Sequence, residues 1–523
     1  MIYTSERTDF KLEIPDVSIT EYALRHADRL ADKPALIDGP SGRTLTYGQL
    51  AGGIKKVAGG LYARGFRKGD VLAIYCPNMP EYALVFNAVA SVGGINTTVN
   101  PLYTAAELAK QLNDSKAKFL VTVPPFLDKA LEAANNSSVE EVFVFGDAEG
   151  ASSFSELLST EQPAPVVAID PKNDLVVLPY SSGTTGLPKG VMLTHHNLVA
   201  NLCQVDGLEE EKRMGEGEII LAMLPFFHIY GMIVVMKLAL AGGATVVSMP
   251  RFDMEEFLGL VQRYKATTLP LVPPVVLGLA KSPLVDQFDL SSVKTIFCGA
   301  APLGRELSME TSQRIGCPVT QGYGMTEASP VTHLSSMDPE KSREGAIGKV
   351  IPDTEVRLVD VKSGKDCAQG EDGELWIRGP QIMRGYLNQP EETAECIDTE
   401  GWYHTGDVGY VDEDGFFFIV DRVKELIKYK AMQVSPAELE ALLVTHPAIL
   451  DAAVIPSPDE EAGEIPKAIV VLKDPASASD ELAEKIMAFV ADNVAPHKRV
   501  RLLDFAEQIP KSASGKILRR VLV

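Results

Sequence analysis

The sequence predicts an α/β protein: a large N-terminal domain of mainly parallel sheets flanked by helices, carrying a β-rich subdomain, then a small mobile α+β C-terminal domain. Three observations predict it. Short β-branched runs alternate with helix-patterned segments through the first two thirds of the chain; from about residue 345 the pattern turns to strands punctuated by Gly and Asp; after Arg422 helices and strands mix. The length of 523 residues agrees, since at about 150 residues per domain it corresponds to about three units.

The runs VLAIYC (71–76), KFLVTV (118–123), EVFVFG (141–146), LVVLPY (175–180) and KTIFCG (294–299) read as strands, with residues 103–114 and 254–266 as helices. Strands separated by helices need crossover connections, which gives parallel pairing. Residues 219–249 are mostly apolar, but Pro225, His228, Lys237 and Gly242-Gly243 interrupt them and no Lys/Arg flank sets an orientation. They read as strand 218–223, helix 231–241 and strand 244–249 of a buried layer, with no membrane span. EVRLVD, GELWIRG and WYHTGDVGYVDEDGFFFIVDR form the β-rich subdomain, about 345–421, with a hairpin turn at 412–415. Ser435-Pro436-Ala437-Glu438 reads as a capping box with proline at the first helical position, opening a helix to about 445. The strand runs AAVIP and KAIVVL and the helix 480–493 follow. The expected boundary is 421–424, giving domains 1–421 and 422–523. Residues 209–212 read as a solvated charge run.

Apolar residues make up 46% and charged ones 23%, which is enough to bury a large core. The formal charge of -22, from 49 Lys and Arg against 71 Asp and Glu, argues against nucleic acid as a partner. A small anion must therefore be held locally, by a few basic side chains and backbone N–H groups. Six scattered cysteines with no C-x-x-C read as reduced and mostly buried. No basic stretch followed by an apolar core opens the chain, and Val521-Leu522-Val523 is not the Ser-Lys-Leu address, so a cytoplasmic location is expected.

The most informative stretch is Tyr180-Ser181-Ser182-Gly183-Thr184-Thr185-Gly186-Leu187-Pro188-Lys189-Gly190. It follows an apolar strand; small residues free the backbone to approach a ligand, and hydroxyls with one ammonium supply donors suited to a triphosphate. It is not the Walker pattern, which needs glycine where Pro188 stands. This block resembles the phosphate-binding signature of the adenylate-forming enzymes, which include acyl-CoA synthetases, luciferases and adenylation domains. The resemblance spans essentially the whole chain. It rests also on Gln321-Gly322-Tyr323-Gly324-Met325-Thr326-Glu327, Tyr403-His404-Thr405-Gly406-Asp407, Asp421-Arg422-Val423-Lys424-Glu425-Leu426-Ile427-Lys428 and Pro510-Lys511-Ser512-Ala513-Ser514-Gly515-Lys516. LPFFHIYG, CGAAPLG and KELIKYK are most similar to the 4-coumarate-CoA ligase branch.

The resemblance implies an ATP-dependent, magnesium-dependent ligation of a carboxylic acid to CoA through an acyl adenylate. It implies that Ser181, Ser182, Gly183, Thr184, Thr185 and Lys189 cradle the β and γ phosphates, with Thr185 and Glu327 contacting magnesium. Thr326, with the backbone of Gln321 and Gly322, meets the α-phosphate and adenine, Asp407 takes the ribose hydroxyls and Arg422 adds a donor beside it. Lys516 bridges carboxylate and α-phosphate during adenylation. Lys428 and Gln433 serve the thioester step, so the small domain rotates about 421–424 between the two. His228 gates the acid pocket from the thiol channel; Arg251, Lys424, Lys430 and Ala431 join the nucleotide and CoA contacts. The acyl pocket is implied at Tyr230, Val234, Phe297, Ala300, Gly322, Gly324, Pro330 and Val331.

Two departures from the family pattern stand out. Hydroxycinnamate enzymes of the plant type tend to carry serine where Val234 stands, so cinnamate-like or medium-chain fatty acids are expected to be accepted at least as well as hydroxylated ones. Tyr429-Lys430-Ala431-Met432 replaces the common Tyr-Lys-Gly-Phe; a methyl there narrows the pantetheine passage, at a cost on the order of 1 kcal/mol if the glycine served a positive φ. A luciferase-like reading is disfavoured because Phe227-His228-Ile229-Tyr230 lacks the paired histidines and glycine of beetle luciferases. A non-catalytic nucleotide-binding scaffold would lack the lysines, and carrier-protein loading has no fused carrier domain. The expected partners are the acid, ATP and CoA, with the chain a monomer or weak homodimer.

Overall fold

The computed structural model describes the chain apart from residues 7–11, 182–187, 208–213, 430–431, 460–461, 513–514 and 523, and apart from the side chains of residues 339, 433 and 520. Two large sheets, a smaller antiparallel sheet and a C-terminal sheet organise it.

One large sheet runs in parallel through Glu141–Val144, Ala117–Thr122, Val71–Tyr75, Ile95–Thr98 and Leu175–Ser181. The other runs in parallel through Pro34–Asp38, Thr245–Ser248, Ile219–Ala222, Thr268–Leu271, Thr295–Cys298 and Val319–Gly324. Strands buried on both faces are apolar at nearly every position, and all five residues of Val71–Tyr75 are buried. The sheets share one continuous core, in which Tyr82 of the helix Pro80–Ser91 meets Phe226 edge-on at 5.7 Å between ring centroids.

The apolar stretch 219–249 is buried strand, helix and strand, and among the described residues no helix is long and apolar enough to cross a membrane. The helix differs from the uniform 231–241 expected. It opens at Tyr230 as a π-helix to Lys237 and tightens to an α-helix over Leu238–Gly242. At its start Gly231 packs on Pro225, where a Cβ would stand 2.2 Å from the carbonyl oxygen. At its end Lys237 is fully buried and donates to Asn87 Oδ1 at 2.6 Å, and burial holds its ammonium far below the ordinary lysine value.

The β-rich part is an antiparallel sheet of Glu355–Val359, Gly373–Arg378, Tyr403–Val411 and Phe417–Arg422, and the N-terminal strand Ile2–Thr4 joins its edge, a partner 350 residues away that no local pattern signals. Its hairpin turn is where the Gly/Asp pattern places it: Asp412 Oδ1 accepts from Asp414 N (3.0 Å) and Phe416 N (2.9 Å), and Gly415 takes φ +81°.

In the C-terminal part, Ile449–Asp459 and Gly463–Leu472 form a hairpin longer than the AAVIP and KAIVVL runs suggested, with Leu502–Phe505 parallel beside it. The helix Asp480–Asn493 stands as expected. The helix Pro436–Leu443 has only half a capping box: Ser435 Oγ accepts from Glu438 N at 3.2 Å, but the Glu438 carboxylate turns to Lys498 (2.7 and 2.8 Å). An ammonium within reach outcompetes a backbone N–H for a carboxylate. Ser435 Oγ itself donates to Asp421 Oδ2 at 2.8 Å, tying the expected boundary segment to this helix. All six cysteines are free, five of them buried.

Candidate active site

The phosphate side is built by strand ends. Leu175–Ser181 delivers Ser181, and the return strand Lys189–Gly190 pairs Lys189 opposite it. Ser181 Oγ donates to Glu327 Oε1 at 2.7 Å and Tyr386 Oη donates to the same oxygen at 3.0 Å. Glu327 stands on a single turn, Thr326–Ala328, just past the strand Val319–Gly324. Lys189 is buried, ion-pairs with Glu392 and lies 4.9 Å from the Tyr386 ring centroid. Burial lowers its pKa, and Lys424 is near enough to lower it further. Beside them burial, then Glu327, push the Cys396 thiol up to about 11, so it stays protonated. Ser182, Gly183, Thr184 and Thr185 lie outside the described residues.

The residues that the resemblance assigns to ribose form a cross-strand pair. Asp407 and Arg422 stand opposite each other in the antiparallel sheet, and Arg422 Nε donates to Asp407 Oδ1 at 2.9 Å. Tyr323 Oη donates to Oδ2 at 2.5 Å. Both oxygens are aimed and charge-balanced, each with a lone pair left for a hydroxyl. The Gln321 side chain exchanges hydrogen bonds with the Leu303 backbone (3.2 and 3.3 Å), fixing the loop above the strand and leaving the Gln321-Gly322 backbone, the part the resemblance assigns to the nucleotide, within the strand Val319–Gly324. Thr326 is partly exposed and opens the single turn that carries Glu327.

The acyl side gathers on the π-helix. Tyr230 Oη donates to the Phe297 carbonyl at 3.0 Å, and the two rings meet edge-on at 6.0 Å. A Cβ on Gly322 would come within 2.7 Å of Phe297 Cζ, and one on Gly299 within 3.1 Å of the Tyr230 ring, so a side chain at either would have to push those rings aside. Gly324 is a close-approach glycine rather than a gap in a pocket wall: its Cβ would stand 2.0 Å from the Pro330 carbonyl. Val234 and Val331 are buried, Asn201 clasps the Val331 backbone at 2.8 and 3.1 Å, and Ala300 takes φ +71°. His228 Nδ1 accepts from Tyr230 N at 3.3 Å, and burial, then Lys516, lower its pKa to about 4. At neutral pH its ring is uncharged, and the Nδ1 bond leaves the proton on Nε2.

Lys516 comes to this cleft from the small domain. Its side chain keeps solvent contact although protein surrounds it, and crowding, then Arg422, push its pKa down while Asp407, Glu327 and Glu425 oppose this. Next to it Gly515, at φ +82°, docks on the large domain, where a Cβ would lie 3.3 Å from Val272 and 3.4 Å from Pro274. Lys428 is exposed on the strand Ile427–Tyr429, its N–H donating to Glu464 at 2.8 Å, with Gln433 at its register position on the neighbouring strand. Arg251 is exposed and outside any ion pair with a described residue. Lys430 and Ala431 lie outside the described residues. Sequence reasoning missed the parts of Tyr323, Tyr386 and Glu392. Tyr323 sits inside a recognised block, but nothing local reveals that it orients Asp407.

Glu327 suits a magnesium ion: its described donors both sit on Oε1, and a single carboxylate with phosphate oxygens and water is the usual protein share of a magnesium site. A large α/β N-terminal domain with a small α+β C-terminal one, Lys516 of the small domain next to Gly515 where it docks on Val272 and Pro274 of the large one, is the architecture of adenylate-forming enzymes. The chain belongs to the AMP-binding enzyme family: residues 24–387 match the AMP-binding enzyme model and 438–516 that of its C-terminal domain. It is 44% identical to 4-coumarate--CoA ligase 2 of Petroselinum crispum over 98% of this chain and 96% of the relative, and 44% identical to 4-coumarate--CoA ligase 5 of Oryza sativa subsp. japonica over 99% and 97%. Among solved structures, it is similar to an anthranilate CoA ligase in complex with anthranoyl-AMP (TM-score 0.88, 27% identity, covering 99% of this chain and 98% of that one).

Proposed function

We propose that the cleft activates a hydroxycinnamate-like acid and passes it to CoA. The reaction class is AMP-forming acid–thiol ligation. A carboxylate oxygen attacks the α-phosphorus of ATP and pyrophosphate leaves; the CoA sulfur then attacks the acyl carbon and AMP leaves. Both steps concentrate negative charge, so the residues act mainly by electrostatic positioning.

The observation that carries the reading is the docking of Gly515, the neighbour of Lys516, on Val272 and Pro274 of the large domain, which brings Lys516 within electrostatic reach of Asp407, Arg422, Glu327 and His228. In this assignment Asp407, oriented by Tyr323 and Arg422, holds the ribose. Lys189 exchanges Glu392 for the β and γ phosphates, joined by Ser181, Ser182, Gly183, Thr184 and Thr185. Lys516 lies between carboxylate and α-phosphate. Magnesium, held by Glu327 with Thr185, supplies neutralising charge to the phosphates. His228 presents Nε2–H toward the acyl group, a donor rather than a base. Lys428 and Gln433 take the place of Lys516 after rotation about 421–424, and Lys430, Ala431 and Arg251 contact CoA. The ring or chain lies against Tyr230, Val234, Phe297, Ala300 and Val331. Medium-chain fatty acids are the second reading, favoured by Val234, whose apolar side chain offers a ring hydroxyl no partner. The enzyme works in the cytoplasm as a monomer or weak homodimer.

A panel of cinnamate, 4-coumarate, caffeate, benzoate and C6–C12 fatty acids, assayed for AMP release and CoA thioester, tests the assignment. Cinnamate and 4-coumarate should lead. Turnover confined to fatty acids moves the reading to its alternative, and AMP release without thioester removes CoA from the scheme.

A further inference from the structure

Lys516 sits on a hairpin closed by an antiparallel bridge between Lys511 and Ile517, with Leu518 N donating to Pro510 O at 2.9 Å. The hairpin stands on two ionic feet. On the incoming side Lys511 Nζ pairs with Asp451 Oδ2 at 2.6 Å. On the outgoing side, three residues past Lys516, Arg519 spends its whole guanidinium on the protein. Nη2 reaches both oxygens of Glu440 at 2.8 Å, Nη1 pairs with Glu425 and Nε donates to the Val454 carbonyl at 3.2 Å. The two carboxylates come from different elements. Glu440 stands on the helix Pro436–Leu443, with Oε1 also accepting Val454 N at 2.8 Å. Glu425 stands in the turn that starts at Arg422, whose carbonyl accepts from Glu425 N and Leu426 N, both at 3.0 Å.

That turn matters because Arg422 is the residue paired with Asp407. A continuous chain of contacts thus runs from the ribose carboxylate through Arg422 and its turn to Glu425, across Arg519, and into the hairpin that ends on Lys516. Arg519 itself is mostly buried, its side chain 17% exposed. Lys428 follows that turn on the strand Ile427–Tyr429, but its own contacts run the other way: the strand pairs with Met432–Val434 and Gly463, and Lys428 N donates to Glu464, not to Glu425, Glu440 or Arg519.

We propose that Arg519 is a positioning residue for the adenylation half-reaction: by clamping Glu440 and Glu425 together it sets where the Lys516 hairpin stands relative to the turn that carries Arg422. This rests on the assignment of Lys516 to adenylation made above. Only a planar fork bridges two carboxylates in this way; an ammonium on a flexible stem does not. A displacement of the reacting amine by about 1 Å costs about a hundredfold in rate, whereas the hydrogen bonds that hold Asp407, from Arg422 Nε and Tyr323 Oη, do not involve Arg519, so ground-state ATP binding should change little.

The test compares Arg519→Ala, Arg519→Lys, Glu425→Gln and Lys516→Ala in the full chain, using the best acid of the panel. Acid-dependent ATP–pyrophosphate exchange, thioester formation from supplied acyl adenylate and the thermal midpoint are measured for each. Arg519→Ala should lower the exchange kcat about a hundredfold, with KM for ATP within about twofold and thiolysis within about threefold of the parent. Arg519→Lys should fall between. Glu425→Gln, which leaves the Arg519–Glu440 anchor intact and so guards against misfolding of the alanine variant, should show the same split with a smaller loss. Parallel loss of both half-reactions with the thermal midpoint, or an unchanged exchange rate in Glu425→Gln and Arg519→Lys, overturns the proposal. If Lys516→Ala abolishes exchange and the Arg519 variants do not, this inference alone fails; if Lys516→Ala retains exchange, the underlying assignment fails.

Discussion

On the large domain, Asp407 has 9% of its side chain exposed, and Arg422 and Tyr323 engage both its oxygens before any ligand arrives. On the small domain, Lys516 is exposed at the end of a hairpin that touches the large domain through Gly515, and Lys428 stands exposed on a different pair of strands. The seat is finished in advance, at the ends of sheet strands; the amine is delivered. The contrast teaches that a carboxylate on paired strands is held by its own sheet, whereas a lysine on a hairpin of the other domain depends on how that domain docks.

The sharpest break of this contrast is Lys516→Ala. It should cut acid-dependent ATP–pyrophosphate exchange by about a thousandfold, as loss of a transition-state donor does, yet leave thioester formation from supplied adenylate within several-fold. Lys428→Ala should do the reverse, with thiolysis down about a hundredfold and exchange intact. Identical profiles from the two variants would mean that the small domain does not alternate. On the seat itself, Asp407→Asn weakens a charge-assisted contact worth about 2 kcal/mol, so KM for ATP should rise about thirtyfold with little change in thiolysis.

Acid should also separate the two domains. His195 and His333, both fully buried in the large domain, have pKa values lowered by burial to about 4 and about 3. A histidine held below its unfolded value contributes full stability above pH 6.5 and loses it as pH falls toward the folded value, on the order of 1 kcal/mol per unit per group. Hydrogen exchange at pH 5 should therefore find the large-domain core loosened before the small one. The smallest effect is expected at Glu392, whose side chain is 35% exposed. Glu392→Gln frees Lys189 of a competing carboxylate, and a pair of this exposure is worth about 0.2–1 kcal/mol, so KM for ATP should fall by a factor of about 1.4 to 5. A rise would show that Glu392 helps to seat the phosphates.

Much of this was legible in the chain. Parallel strands announced themselves as apolar runs because both faces of Val71–Tyr75 are buried, and Ser435-Pro436 announced a helix because its cap is local. The second half of that capping box misled, since Lys498 sits sixty residues from Glu438 and no window contains both. The order of the site blocks identified the chemistry, but the blocks are silent about one another: Tyr323 and Asp407 are 84 positions apart, and Ser181 and Glu327 146 apart.

The sequence alone determined the class of fold, the reaction family and the residues that carry charge, because periodicity, caps and glycine-rich turns are set by neighbours a few bonds away. Tertiary structure decided that Tyr323 and Tyr386 meet Asp407 and Glu327 and that Arg519 joins Glu425 to Glu440. Those depend on where distant segments meet, and a hydrogen bond acts only across the last few ångströms.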